Sequence, residues 1–497
     1  MIELDALTRG LSLLFGDGGA WLVVIPGILI GLIFGAVPGL QISMAMAIFL
    51  PMTLYMSFME AMLFLTAIFT GGSFGGSIPA IVMNIPGTSS AIATTFDGYP
   101  MAKKGEHNRA LGIALAASCV GVLIGYGLLF LLIKPISLLV LKLGPAEMAV
   151  IVIWGLTLIA SLSGENIGKG VIAGLFGILI GTIGYSEAGV TRGTFDSVYL
   201  LDGIPAIPAM MGMFAASELL RLANVDYLIA DQSKRTVQVS AMFAGFRKAF
   251  SYPFIVLRGS AIGILIGAIP GVGSSIANLL SYSETKRTSN DPETFGEGNE
   301  KGVVASEAAN STSEAGSMAT LLALGIPGGG ATAVMLAAFT MHNITGGPQF
   351  IREQTDVVYA IIFANFGQAA LLIVLGLCLV PLLANIVRVP MSYLIPTVLV
   401  LAVLGSFGLT GSITGPYTVA AFAVIGWIFK RQGYSVAACV IGILLGGMLE
   451  DSFIYTYQIS GGQWGYILER PLVIIMLCLM VLPMFTTKII SKLSKSI

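Results

Sequence analysis

The chain has 497 residues, of which 56% are hydrophobic and only 10% charged, against about 25% charged in a typical soluble protein. With a mean hydropathy of +0.91, it has too little polar surface to face water as a string of soluble domains. Lys+Arg at 25 against Asp+Glu at 26 leave a net charge of -1, which argues against a nucleic-acid partner and against a polybasic lipid-binding face.

The N-terminus, MIELDALTRG, has no basic region of the kind that opens a cleavable signal, so the apolar segments themselves would direct insertion into membrane lipid. A spanning helix needs about 20 apolar residues. By that measure Trp21–Val37, Ala110–Ile133, Ala146–Leu162, Ile167–Ile183, Val357–Leu383, Tyr393–Leu409, Ile413–Phe429, Ser435–Leu449 and Leu472–Ile489 read as spans, with Phe254–Ile269 a shorter one. Leu40–Met56, Ala61–Ile85, Ile204–Leu220, Val272–Leu280 and Met318–Phe339 are apolar but interrupted by Gly, Pro and Ser. The expected fold is an all-α polytopic membrane protein with about 10–14 membrane segments, some of them re-entrant or broken half-helices. Cys119, Cys378, Cys439 and Cys478 lie in apolar runs without CxxC spacing and read as small core residues. With two histidines, His107 and His342, no resident metal or other cofactor is expected.

The glycines and prolines cluster in two places that resemble each other. Gly31-Leu-Ile-Phe-Gly35-Ala-Val-Pro38-Gly39 recurs as Gly263-Ile-Leu-Ile-Gly267-Ala-Ile-Pro270-Gly271, 232 residues on from Gly31 to Gly263. Asn84-Ile85-Pro86-Gly87-Thr88-Ser89-Ser90 is matched by Gly325-Ile326-Pro327-Gly328-Gly329-Gly330, 241 residues on from Pro86 to Pro327. One GxxxG reports only close helix packing; two different motifs in the same order indicate a duplicated unit, with halves 1–250 and 251–497. Lys234, Arg235, Arg247 and Lys248 precede the second Pro-Gly motif, as cytoplasmic segments do, whereas Glu3, Asp5 and Asp17 outnumber Arg9 before the first. Equivalent segments on opposite sides predict inverted-topology repeats.

Backbone without hydrogen-bond partners survives in a bilayer only when buried in protein or lining a wet cavity. Each of Pro38-Gly39, Pro86-Gly87, Pro270-Gly271 and Pro327-Gly328 can end one half-helix and expose the N–H groups that open the next, which suit an anion. Hydroxyls follow the breaks: Ser43, Thr88, Ser89, Ser90, Ser274 and Ser275, with Gly273 between Pro270-Gly271 and the last pair. Paired interruptions in two halves point to a transporter's binding site.

Glu307, Asn310, Ser311 and Glu314 share one helix face. Because polar Ser283–Gly302 precedes them, Glu307 and Glu314 are expected to stand outside the membrane on a solvated face; the alternative is a carboxylate that exchanges a proton or contacts a cation along a hydrated path. Asn310 and Ser311, deeper and uncharged, are the better site candidates. Glu147, Glu165 and Asp202 read as interfacial, Glu218 as paired with Arg221, and Glu450-Asp451 as a cap or a cation contact. Gly164-Glu-Asn-Ile-Gly168-Lys169-Gly170 has the wrong spacing for a phosphate-binding loop, and Gly71-Gly72-Ser73-Phe74-Gly75, although it matches GxSxG, lies in an apolar helical segment and reads as packing. An intramembrane enzyme is the least favoured class.

Four blocks together resemble the large membrane subunit of the tripartite tricarboxylate transporters over essentially the whole chain. They are Gly35-Ala-Val-Pro38-Gly39; Asn84-Ile-Pro86-Gly87-Thr88 running on to Asp97-Gly98-Tyr99-Pro100-Met101-Ala102; Gly267-Ala-Ile-Pro270-Gly271; and Glu307-Ala-Ala-Asn310 running on to Gly325-Ile-Pro327-Gly328. The resemblance implies a subunit of the bacterial inner membrane that works with a small membrane subunit and a periplasmic solute-binding protein. It implies import of citrate-like carboxylates driven by a sodium or proton gradient. Carried over residue by residue, it puts the substrate at the Pro-Gly breaks, Gly329 included, and at Asn84, Thr88, Asn310 and neighbours, with Asn84, Asn310, Ser311 and Glu314 as cation-coupling candidates. Gln41, Ser306 and Gly329 stand where the family pattern usually has Gly, Pro and Ser. Asp97 has no expected role beyond a turn after the first re-entrant segment. A gated organic-anion channel is the alternative that could share such a site.

Overall fold

The computed structural model describes residues 4–16, 19–38, 40–140, 142–162, 167–186, 189–222, 237–270, 273–386 and 391–477. Gly39, Gly271, Glu165, Cys478 and most of the expected Leu472–Ile489 span lie outside them, as does the Lys234-Arg235 pair.

Twenty of the α-helices among the described residues carry the fold. The first series is α1 (Leu4–Phe15), α2 (Val24–Ala36), α3 (Ile42–Phe49), α4 (Phe58–Gly75), α5 (Ser77–Met83), α6 (Ile92–Lys103), α7 (His107–Val140), α8 (Pro145–Leu162), α9 (Ile167–Gly181), α10 (Ala206–Met210) and α11 (Ser217–Leu222). The second is α12 (Val239–Ala249), α13 (Pro253–Gly267), α14 (Gly273–Thr288), α15 (Glu300–Leu324), α16 (Gly330–Met341), α17 (Thr355–Ile386), α18 (Met391–Thr410), α19 (Thr414–Gln432) and α20 (Val436–Ile459). Order and length recur: a helix of 13 or 15 residues before a Pro-Gly break (α2, α13), a 12-residue helix after the second break (α6, α16), then one of 34 or 32 residues (α7, α17). A π-helical turn, Met211–Ala216, joins α10 to α11, and a two-stranded antiparallel hairpin pairs Gly184 with Arg192 and Tyr185 with Thr191.

Five of the described helical stretches are long and apolar enough to cross a membrane alone: Gly19–Ala36, Phe58–Met83, His107–Ile136, Thr355–Leu383 and Val436–Ile459. Val239–Ala249 and Pro253–Gly267, bent by 81° at their junction, would make a sixth. Other apolar helices, Gly330–Met341 among them, are shorter, as half-helices are. The outward faces suit lipid. On α9, Ile172, Leu175 and Leu179, at i, i+3 and i+7, are 55%, 55% and 67% exposed, an apolar surface that a protein in water would bury. Cys119 and Cys439 are buried as expected; Cys378 is exposed on α17, because a thiol facing lipid is no less comfortable than one in a core.

Glycine lets the helices touch. A Cβ on Gly35 would stand 2.9 Å from the Gly76 nitrogen, and one on Gly75 would stand 2.8 Å from the Leu32 oxygen. In the second series a Cβ on Gly267 would stand 2.7 Å from the Ser313 Cα. The Gly71–Gly75 stretch is therefore a helix-packing seam, fully buried within α4.

Candidate functional site

Where their residues are described, the breaks form as the sequence dictates. Val37, before Pro38, is extended (φ -95°, ψ 109°), and so is Gln41 (φ -92°, ψ 152°), after which α3 starts afresh. Asn84 (φ 61°) ends α5 and Gly325 (φ 70°) ends α15 in the left-handed conformation, each immediately before an Ile-Pro-Gly. Thr88 (φ -127°, ψ 159°) then leads through a short turn into α6. Gly329 leads into α16, its N–H donating to Thr332 Oγ1 at 3.0 Å. Gly87 donates to the Gly76 carbonyl at 3.0 Å, and a Cβ there would stand 2.8 Å from the Gly76 Cα, so only glycine lets this break nest against α4.

The new helix starts meet. A cavity of about 180 Å³ is lined by Gln41, Ile42 and Ser43 at the start of α3, by Thr88, Ser89 and Ser90 ahead of α6, by Ser274 and Ser275 in the first turn of α14, and by Gly329, Gly330, Ala331 and Thr332 at the start of α16. Ser313 and Ser317 of α15 and Phe69 of α4 form walls, and Ala437 and Ile441 of α20 close it. Ser275 Oγ donates to Ser89 Oγ at 2.9 Å, and Thr88 and Ser90 share a hydrogen bond of 2.9 Å. A Cβ on Gly330 would stand 3.2 Å from that of Ser43, so the starts of α3 and α16 are in near contact. Among the described residues no charged side chain lines the cavity. Its positive potential comes from helix N-termini and its directional contacts from hydroxyls, a combination that accepts an anion without a fixed cation.

Of the residues expected at the site, Ser43, Thr88, Ser89, Ser274, Ser275 and Gly329 line this cavity. Pro38 and Pro327 are buried, Pro86 and Pro270 half-buried, Gly87 and Gly328 packed against neighbouring helices, and Gly273 opens α14; these shape the breaks from behind. Asn84 is an exposed helix cap, and Asn310 and Ser311 lie buried in α15; none of the three is in the lining. Ser313, Ser317 and Thr332 went unread in the sequence, although Ser313 and Ser317 stand four apart on one helix face and could have been found by that spacing. Gln41 had been noticed only as a departure.

The solvated face expected for Glu307 and Glu314 is not what forms. Both are fully buried, because α15 runs through the middle of the protein, where other helices cover its polar face. Glu307 Oε1 accepts from Ser77 Oγ at 2.6 Å and from Thr94 Oγ1, and Oε2 accepts from Ser118 Oγ at 3.0 Å. Glu314 Oε2 accepts from Thr70 Oγ1 at 3.0 Å.

Asp97 is no turn residue. It lies inside α6 and is fully buried, and its Oδ1 accepts from the Gly296, Gly298 and Asn299 N–H groups at 2.8, 2.9 and 2.8 Å. It thereby staples the first series to the N-terminus of α15, where the helix dipole favours a carboxylate. Glu147, expected at an interface, is buried and pairs with Arg470 at 2.5 Å. Glu218 reaches Lys430 of α19 at 2.6 Å; the side chain of Arg221 lies outside the description. Glu450 sits within α20 and pairs with Arg192 of the hairpin at 2.5 Å. Asp202 is exposed.

Residues 21–441 match the family described as the tripartite tricarboxylate transporter TctA family. The chain belongs to that family. It is thus the TctA-type membrane subunit of a tripartite transporter, multi-pass in the membrane and with partner subunits. Two relatives come from Agrobacterium vitis. An uncharacterized 52.8 kDa protein in the TAR-I ttuC' 3'region is 31% identical over 450 residues, 90% of this chain and 88% of that one. An uncharacterized protein in the TAR-II ttuC' 3'region is 30% identical over 210 residues, 42% of this chain and 87% of that one. No solved structure matches.

Proposed function

We propose that this TctA-family subunit forms the translocation path of a binding-protein-dependent secondary transporter of the bacterial inner membrane. It imports citrate-like di- and tricarboxylates by symport with sodium or protons. The observation that carries the reading is the cavity where four helix starts and nine Ser and Thr hydroxyl groups converge. Carboxylate oxygens accept hydrogen bonds from these N–H groups and hydroxyls, and Pro38, Pro86, Gly87, Pro270, Pro327 and Gly328 keep the breaks open. A cation offsets the charge that would otherwise make an anion costly at this depth, with Asn84, Asn310, Ser311 and Glu314 as the groups to test. The periplasmic binding protein delivers the substrate and the small membrane subunit completes the complex.

The two series are read as inverted repeats. This rests on the charge bias before α2 and α13 and on the recurrence of helix order. Since α12 precedes α13 as α1 precedes α2, the second repeat is read as starting at α12, about a dozen residues ahead of the 250/251 division. One repeat-derived bundle moving against the other would alternate access.

The test is uptake of radiolabelled citrate into proteoliposomes holding the full complex, with and without an imposed sodium or proton gradient. Uptake that a cation gradient drives above equilibrium supports symport. Flux that follows only the anion's own gradient would make the protein a gated organic-anion channel.

A further inference from the structure

Behind the cavity wall lies a second polar cluster between α4, α7 and α15. Phe69 and Ser313 line the cavity; the next residue of each, Thr70 and Glu314, turns away from it and the two are hydrogen-bonded to one another. Asn310 and Glu314 are one helical turn apart, with Cβ atoms about 5–6 Å from each other. The Asn310 amide donates to the Ser73 carbonyl at 3.2 Å, which fixes its orientation and turns Oδ1 the other way.

Four buried polar atoms here have no hydrogen-bond partner: Ser73 Oγ, Tyr126 OH, Asn310 Oδ1 and Glu314 Oε1. Two of them, the amide and carboxylate oxygens, can only accept while Glu314 is ionised. Groups near Glu314 come from α4, α7 and α15: Thr70 and Ser73 of α4, Cys119 and Tyr126 of α7, and Glu307 two turns back on α15. Among the described residues no Lys, Arg or His pairs with either glutamate. A buried carboxylate with an orphaned oxygen and no counter-charge is costly, and a cation or a proton at that oxygen would relieve the cost.

Glu307 and Glu314 divide the labour. Three hydroxyls occupy both oxygens of Glu307, which leaves it no open position. Glu314, about 10 Å along the helix at 1.5 Å per residue, keeps one oxygen free. We infer that Glu314, Asn310 and Ser73 bind one monovalent cation, sodium or a proton, directly behind the anion cavity. An all-oxygen donor set suits a hard cation, and a proton on Oε1 would supply the same positive charge and a donor for Asn310. That this ion is the one coupled to transport rests on the reading given above; its binding does not.

The experiment therefore contains no carboxylate. The purified full chain in detergent is unfolded thermally while sodium chloride replaces choline chloride at constant ionic strength, and in a second arm while pH is raised from 5.5 to 9 without sodium. If sodium is the ligand, the unfolding midpoint rises saturably with sodium and not with choline. If the proton is the ligand, the midpoint falls as pH rises, because deprotonation leaves the bare carboxylate. Glu314→Gln, neutral and isosteric, removes whichever response is seen. Asn310→Leu weakens the sodium response by roughly tenfold or more in half-saturating concentration, as loss of a supporting group at a metal site does. A wild-type midpoint indifferent to both sodium and pH overturns the inference even if the variants do not fold, and so does an undiminished response in Glu314→Gln.

Discussion

Helices α4 and α15 hold matching places in the two series, and each leads to a left-handed cap and an Ile-Pro-Gly break: Asn84-Ile85-Pro86-Gly87 on one side, Gly325-Ile326-Pro327-Gly328 on the other. Their side chains differ. At the 241-residue offset of the breaks, Glu307 falls opposite Thr66 and Glu314 opposite Ser73. Thr66 hydrogen-bonds the Met62 carbonyl and accepts from Gln368 Nε2 at 2.9 Å; Glu307 gathers hydroxyls from three helices of the other series. The duplicated part is the backbone frame, which turns helix starts toward a shared cavity. The carboxylates belong to one copy only, so under the proposed function the frame would serve the anion symmetrically and the cation chemistry would be one-sided.

If the frame is shared, damage to it should be equal on both sides. Gly35→Leu and Gly267→Leu each put a side chain into the backbone of the neighbouring helix, and each should cost about 3 kcal/mol or more, seen as loss of monodisperse protein in size-exclusion chromatography. Tolerance in one series alone would break the equivalence.

If the chemistry is one-sided, the next comparison should be unequal. Glu307→Ala takes the carboxylate acceptor from three buried hydroxyls and should cost about 3 kcal/mol, whereas Thr66→Ala at the matching place should cost about 1 kcal/mol; thermal unfolding in detergent reads both. A smaller loss, about 2 kcal/mol, is expected for Asp97→Ala, which strips the acceptor from three N–H groups at the start of α15. Asp97→Asn, which retains an acceptor oxygen, should recover part of it. Smallest are the caps. Asn84→Gly should be neutral, and Gly325→Ala should cost about 1 kcal/mol, since alanine pays for the left-handed conformation that glycine adopts freely. If Asn84→Gly instead abolishes uptake in a stable protein, Asn84 is more than a cap.

Much of this frame was legible in the sequence because it is a property of Pro and Gly, whose backbone consequences are local. All six hydroxyls expected after the breaks line the cavity. What hydropathy could not give was the fate of Glu307, Glu314 and Asp97. A hydropathy reading offers two surroundings, water and lipid, and assigns a polar run to water; the third, a protein interior that supplies hydroxyl and N–H donors, depends on residues about 200 positions away. Ser77, Thr94 and Ser118 around Glu307, and Gly296 to Asn299 around Asp97, are such partners. Short helices were under-read for a related reason: α3 and α16 reach the cavity although each is too short to span a membrane alone, so span length is the wrong measure for them.

The central claim is that the cavity between the four helix starts holds the carboxylate, and cysteine protection measures that directly. In a background with the four native cysteines replaced, Ser275→Cys places a thiol in the lining, across from Ser89. The prediction is labelling by a small, negatively charged methanethiosulfonate that citrate slows in proportion to its concentration, while an equal ionic strength of chloride does not. Labelling that proceeds at the same rate with and without citrate, in a protein that still takes citrate up, would contradict the account.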